Sequence, residues 1–268
     1  MKVRDKLWLF ASRAHDDDIW LGKSSSGFTK WSRITPAEGA LMLDVPNIIM
    51  IGSDGVPAPY SAEAYGYMES FCRMKNVVWS ISGSAGFRAG NEEKFICDLA
   101  EKYPNVTGAF ADDFLVEAPD AERSAAQLET VRQIRRQLDL SPRHLSMWLT
   151  MYTRNIASAD RDTCELFDNL SLWTWSYRDL DMLAENFSAW EERFPNQKKY
   201  LGVYIYDYPS GQAIPDEYME KQCSFGLSMM KEGRAEGIIF LTNCVMGVGL
   251  SSEYWLRKWI DSVKDTDI

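Results

Sequence analysis

Apolar and polar positions in this chain repeat as a two-part unit. Eight short apolar runs occur: LWLFA (7–11), NIIMI (47–51), VVWSI (77–81), VTGAF (106–110), HLSMWL (144–149), LSLWTW (170–175), YLGVYIY (200–206) and GIIFL (237–241). Each ends in a polar or aromatic cluster, and a stretch with helix-forming character follows. A strand followed by a helix, repeated, argues for a parallel α/β protein. Eight such units in 268 residues predict a (β/α)8 barrel, a TIM barrel, as a single domain over residues 1–268.

The helical stretches carry their own signals. Thr35-Pro36-Ala37-Glu38 reads as a capping box with proline at the first helical position, leading into a helix that stops near Pro46. A second helix is predicted over about 61–74. Asn91-Glu92-Glu93 opens a third, with acids in the first turn, where the helix dipole favours them. AERSAAQLETVRQIRRQL (121–138) places Ala125, Leu128, Val131, Ile134 and Leu138 on one stripe. A short helix at about 160–168 and longer ones at 180–193, 215–232 and 252–264 complete the set. The first connection is unusual, because more than twenty residues separate the first run from Thr35. Loops of that length tend to be functional or disordered, and Trp20 and Trp31 argue for order.

Charge and composition narrow the partners. A net charge of −10 excludes the basic face that nucleic acid or an anionic membrane requires. No segment approaches the roughly 20 apolar residues of a membrane-spanning helix. The five cysteines are odd in number and contain no CxxC, which fits free thiols in a reducing compartment. The start of the chain does not read as a signal peptide, so the cytoplasm is expected, with periplasmic or secreted placement the alternative.

A barrel builds its active site from whatever follows the C-terminal ends of its strands. Asp112 and Asp113 follow the fourth run, and Asp207 follows the seventh. Neighbouring residues on a strand point to opposite faces, so one of Asp112 and Asp113 is expected at the barrel mouth. Two carboxyl groups flanking a glycosidic bond are the usual equipment for its hydrolysis. Asp113 is the expected general acid, Asp112 its close substitute, and Asp207 the nucleophile or base. The bland reading of Asp207 is a turn residue before Pro209-Ser210-Gly211.

Ten tryptophans are many for this length, and several fall at strand ends. Sugar rings stack their C–H faces on flat aromatic side chains. Trp148, Tyr152, Trp175, Tyr177 and Tyr208 are therefore candidate platforms, and His15, Asp17, Asp54 and Asn243 are candidate ligands of sugar hydroxyls. Trp173 and Trp175 lie on one face of the sixth strand. Trp8, Trp79, Trp190, Trp255 and Trp259 read as core.

The segment Ala14-His15-Asp16-Asp17-Asp18 superficially resembles the AHPDDE segment of zinc-dependent sugar deacetylases. It lacks the proline and the glutamate, and the other histidine, His144, begins the fifth strand at the wrong end of the barrel. No metal and no other cofactor is expected. Gly83-Ser84-Ala85-Gly86 has no histidine partner for a serine triad, although Ser84 and Arg88 are placed to meet a ligand.

GAFADDF, LWTW, LGVYIYDY and GIIFLTN, in that order, resemble the strand-end motifs of a bacterial family of glycoside-hydrolase-like (β/α)8 barrels with no settled activity. The resemblance runs over nearly the whole chain and implies a carbohydrate-active barrel. More distantly, the chain is similar to retaining glycosidases with an acid after strand 4 and a nucleophile after strand 7. Those enzymes use glutamates, and here the shorter Asp113 and Asp207 stand in that area. The expected partner is thus a glycan or oligosaccharide. A non-catalytic sugar-binding barrel and a metal-dependent carbohydrate deacetylase are the alternatives.

Overall fold

Each apolar run is a strand in the computed structural model, which describes residues 1–22, 31–116 and 120–268. The barrel strands are β1 (Leu7–Ala11), β2 (Asn47–Met50), β3 (Asn76–Ser82), β4 (Val106–Ala111), β5 (Ser146–Tyr152), β6 (Asn169–Trp173), β7 (Lys198–Tyr204) and β8 (Gly237–Leu241). All neighbours pair in parallel, and β1 closes on β8 from Leu7–Ile238 to Phe10–Leu241, so the sheet is a closed (β/α)8 barrel. Strands buried on both faces read as continuous apolar runs, which explains why the pattern was so plain. A two-residue antiparallel hairpin, Tyr206–Asp207 with Gln212–Ala213, follows β7. Residues 23–30 of the long first loop and residues 117–119 lie outside the described residues.

A helix follows every strand, from Pro36–Leu43 after β1 to Ser251–Val263 after β8. The Thr35 cap forms as expected: Glu38 Oε2 accepts from the Thr35 N–H at 2.8 Å, and Thr35 Oγ1 accepts from the Glu38 N–H at 3.4 Å. The helix after β5 is a single turn, Arg161–Cys164. In Ala121–Leu138 the apolar stripe holds for Val131, Ile134 and Leu138, but Ala125 is exposed and Gln127 is buried. The first turns of this helix face the loop after β4 rather than the sheet, and Gln127 Nε2 donates to the Phe114 carbonyl there at 2.6 Å. A half-buried loop carbonyl still needs a donor, which outweighs the apolar pattern. No described helix is long and apolar enough to cross a membrane.

The barrel interior is filled with aromatic rings in tiers. At the bottom Trp8, Trp148 and Tyr200 meet, with Trp148 and Tyr200 centroids 4.3 Å apart. Above them Phe10 contacts Phe110 and Trp173, each at 5.7 Å. Two indoles are satisfied by one device. Ser146 Oγ accepts the Trp148 Nε1–H at 2.8 Å, and Ser171 Oγ accepts the Trp173 Nε1–H at 2.9 Å. Residues two apart on a strand share a face, so Ser-x-Trp lets an indole enter the barrel without stranding its donor.

Rings this large need space on neighbouring strands. A Cβ at Gly202 would lie 2.1 Å from the Trp173 ring. Gly202→Ala is therefore expected to force Trp173 out of place and to cost about 1–3 kcal/mol as an overpacked core. Urea unfolding with near-ultraviolet circular dichroism measures this; an unchanged midpoint would mean that the ring yields freely.

Candidate active site

The inward alternation of β4 runs Gly108, Phe110, Asp112, so the chain delivers the first carboxyl into the barrel mouth at the strand's end. Asp112 is 7% exposed, and its Oδ1 accepts from Thr150 Oγ1 of β5 at 2.9 Å. Burial, and then the charge of Asp113, push its pKa up to about 8, against the pull of the Thr150 hydroxyl. Burial and the neighbouring charge thus favour the protonated form of this carboxyl. Asp113 does not point sideways, contrary to the alternation expected of it. Its backbone turns into the left-handed region at φ 45, which aspartate tolerates, and both acids line one cavity. Asp113 Oδ1 accepts from the Tyr152 hydroxyl at 2.8 Å, and Oδ2 accepts from the Ala85 N–H at 3.1 Å.

The cavity has a volume of about 210 Å³ and sits over the upper aromatic tier. Trp175 continues the inward face of β6 two residues beyond Trp173, as their shared face implied. Its ring stacks on Tyr208 at 5.6 Å and 11°, and meets Tyr152 edge-on at 6.1 Å. Trp20, from the first loop, closes on Tyr208 edge-on at 5.6 Å. A wider cavity of about 470 Å³ continues past Asp113, Tyr152 and Trp175 toward Arg154. The first loop also brings acids. Asp16 and Asp17 both line the smaller cavity. Burial raises Asp17 to about 6, opposed by its bond from the Tyr208 hydroxyl and supported by the charges of Asp16 and Asp18.

The structure therefore gathers Asp112, Asp113, Asp17, Tyr152, Trp175 and Tyr208 around one space. Six other expected site residues lie elsewhere, each for a physical reason. Asp207 is the main correction. It is 1% exposed, its Oδ1 accepts from the Tyr177 N–H at 3.0 Å, and its Oδ2 accepts from the Ser210 N–H at 3.0 Å and from the Ser210 hydroxyl. It is the turn aspartate of the hairpin after β7, with both oxygens committed, and does not line the cavity. Trp148 belongs to the bottom tier of the barrel, at the end opposite the mouth. Tyr177 packs on Tyr218 at 5.0 Å, outside the cavity. His15 is exposed and bonds Asp18 Oδ2 through Nδ1 at 2.8 Å. Asp54 is exposed in the turn bridged by Ser53 and Val56. Asn243 is fully buried and holds backbone: its Oδ1 accepts from Ser12 N–H at 3.0 Å, and its Nδ2 donates to the carbonyls of Ser12 and Ile34 at 2.9 and 2.8 Å.

The first-loop acids part toward separate partners. Asp16 pairs with Arg13 at 2.8 Å, Asp17 bonds Tyr208 at 2.8 Å, and Asp18 bonds His15. Among the described residues no group of three or more histidine, cysteine, aspartate or glutamate side chains is placed to hold a metal ion. Sequence reasoning missed Thr150, Tyr204 and Asp16 at the site. Tyr200, Gly202 and Tyr204 at two-residue spacing marked the inner face of β7. The repeated Ser-x-Trp marked Trp148 and Trp173 as interior.

No family model and no curated protein sequence matches the chain. Solved structures do share its fold. An endo-alpha-mannosidase of family GH99 from Bacteroides thetaiotaomicron is 11% identical, with 97% of each chain covered and a TM-score of 0.58. YKL-39, solved in the presence of chitooligosaccharides, is 10% identical, with 98% of this chain and 100% of that chain covered and a TM-score of 0.58. A beta-glucuronidase from Faecalibacterium prausnitzii is 9% identical, with 97% of this chain and 49% of that chain covered and a TM-score of 0.57. The chain thus spans about half the length of that enzyme. An aldolase, QR15, shares the barrel at a TM-score of 0.51. At these identities the likeness is one of fold, and its members include glycoside hydrolases.

Proposed function

We propose that this barrel hydrolyses a glycosidic bond, with Asp112 as general acid. One observation carries the reading: a buried carboxyl, its protonated form favoured by burial and by an adjacent carboxylate, opens on an aromatic-lined cavity. A protonated acid of that kind donates to the leaving oxygen as the bond breaks. Asp112 fits the role better than Asp113, whose two oxygens already accept hydrogen bonds from Tyr152 and Ala85. Asp113 instead supplies the charge that helps hold the proton on Asp112. The stacked pair Trp175 and Tyr208 offers a platform to a sugar ring, and the wider cavity beside it leaves room for further units. The barrel's likeness to glycoside hydrolases is consistent with this chemistry, although a fold alone does not fix a reaction.

The test begins with a panel of p-nitrophenyl α- and β-glycosides and short oligosaccharides. Turnover of at least one by the wild-type protein is expected. Trp175→Ala should raise KM about tenfold, which corresponds to about 1.4 kcal/mol of lost stacking, while the pH dependence of kcat stays where it was. Binding of an oligosaccharide without turnover of any substrate would replace this reading with a sugar-binding barrel. An unchanged KM in a folded Trp175→Ala would remove the platform.

A further inference from the structure

The glycosidase reading lacks a group to oppose Asp112, because Asp207 is committed to its turn. The first loop supplies one. Asp17 precedes the single helical turn Asp18–Leu21, and its carboxyl lines the same cavity as Asp112. In the ring of strands β1 lies opposite β5, the strand whose Thr150 holds Asp112. The two acids thus enter the cavity from different sides.

Their surroundings match. Thr150 is the one side chain bonded to the Asp112 carboxyl among the described residues. Asp17 Oδ2 accepts from the Tyr208 hydroxyl at 2.8 Å, and its Oδ1 accepts from no group among the described residues. Each acid is fixed by one side-chain hydroxyl, and the Asp113 backbone N–H also bonds the Asp112 carboxyl. Asp113 and Asp207 have both oxygens taken, and Asp16 is ion-paired with Arg13 through Oδ1, which leaves it only a buried Oδ2. The ring that holds Asp17 is the one stacked on Trp175, so the carboxyl is positioned relative to the sugar platform itself. The charges acting on Asp17 are those of Asp16 and Asp18, and the one acting on Asp112 is that of Asp113. Neither carboxyl is among the charges acting on the other, as expected of a pair that leaves room for a water molecule between them.

We propose that Asp17 is the general base, activating the water that attacks the anomeric carbon on the face opposite the bond protonated by Asp112. This rests on the glycosidase reading above. The Asp17 carboxylate takes one proton from water as the water oxygen bonds to the anomeric carbon. The glycosidic C–O bond breaks, and its electron pair leaves with the aglycone oxygen, which takes the proton of Asp112. The products are a free sugar of inverted configuration and an alcohol. Asp17 ends protonated and Asp112 ionised, and proton exchange with solvent restores both.

The groups facing Asp17 are Asp16 and Asp18 on its own loop, Tyr208 from the hairpin after β7, and Cys244 from the segment after β8. Asp17 is ionised above about 6, and Asp112 is protonated below about 8. Acid and base are in their working forms together between those values, which gives a bell-shaped kcat/KM profile.

The experiment uses a p-nitrophenyl glycoside that the wild-type protein hydrolyses. Asp17→Asn should lower kcat about 100-fold or more with an unchanged circular dichroism spectrum. Formate should restore part of the rate to Asp17→Ala. Proton NMR of the first-formed sugar should show inversion. Tyr208→Phe keeps Asp17 but removes the donor that stabilises its charge, so the acidic limb of the profile should move to higher pH. That variant decides the matter even where Asp17→Asn fails to fold. A rate for folded Asp17→Asn within about threefold of wild type, retention of configuration, or an unmoved limb in Tyr208→Phe would each overturn the base role while leaving the glycosidase reading intact. Absence of turnover by the wild-type protein on every glycoside would instead overturn that reading, and the base role with it.

Discussion

Asp112→Asn should cost about two to four orders of magnitude in turnover of an alkyl glycoside while leaving the barrel at least as stable as before. The amide keeps the shape of the carboxyl and can still accept from Thr150, but it has no acidic proton to give. The loss should be much smaller for a p-nitrophenyl glycoside, because nitrophenolate departs without needing a proton. That difference between substrates identifies the general acid; an equal loss on both would point to a damaged binding site instead. The stability half follows from linkage. The folded-state pKa of Asp112 is raised from 3.8 to about 8, so the folded protein holds a proton that the unfolded chain releases. Between those values the contribution of this group to wild-type stability falls as pH rises, and above the upper one the penalty is constant. Asparagine does not titrate. The variant's advantage in melting temperature should therefore grow from pH 4 to pH 8, and calorimetry at three pH values across that window checks it. An advantage that shrinks with pH would mean that Asp112 is not held protonated.

Asn243→Ala should destabilise the fold by about 3–5 kcal/mol, the largest loss expected of any single site considered. The side chain is fully buried, and its removal strands three backbone groups: the Ser12 N–H, the Ser12 carbonyl and the Ile34 carbonyl. Ser12 directly follows β1, and Ile34 precedes the helix Pro36–Leu43, so Asn243 fastens both ends of the loop that carries Asp17. The helix Pro36–Leu43 packs so closely here that a Cβ at Gly39 would come within 2.8 Å of the Asn243 Cβ. Denaturant unfolding measures the loss. A sugar ligand at this position would behave in the opposite way, weakening binding with little effect on stability, and that outcome would refute the clamp.

The hydrophobic pattern made the fold legible. Eight strands with both faces buried leave eight continuous runs, and a parallel sheet needs a helix between each pair, so the count and spacing left few alternatives. The Thr35 capping box and the end of the long helix at Leu138 were legible for the same local reason: caps and helical stripes depend on residues three and four apart. The candidate site was legible only in part. Asp112, Asp113, Asp17, Tyr152, Trp175 and Tyr208 could be named because a barrel's mouth follows its strand ends. Trp148 was misjudged because its position along β5 puts it two residue pairs below the rim. Asp207 was misjudged because a turn aspartate and a catalytic one look alike until the partners of both oxygens are known.

The sequence by itself determined the barrel, the strands and the end of the molecule where its chemistry would be found, since these rest on burial periodicity and chain connectivity. It also determined that Asp112 and Asp113 stand at that end. Tertiary structure alone decided which of the two is buried against Thr150 and which turns back to meet Tyr152 and Ala85. It alone brought Asp17 under the Tyr208 hydroxyl, 191 residues away in the chain. Proton affinity and access depend on the solvent excluded and the donors met in three dimensions, and neither is encoded in the spacing of residues along the chain.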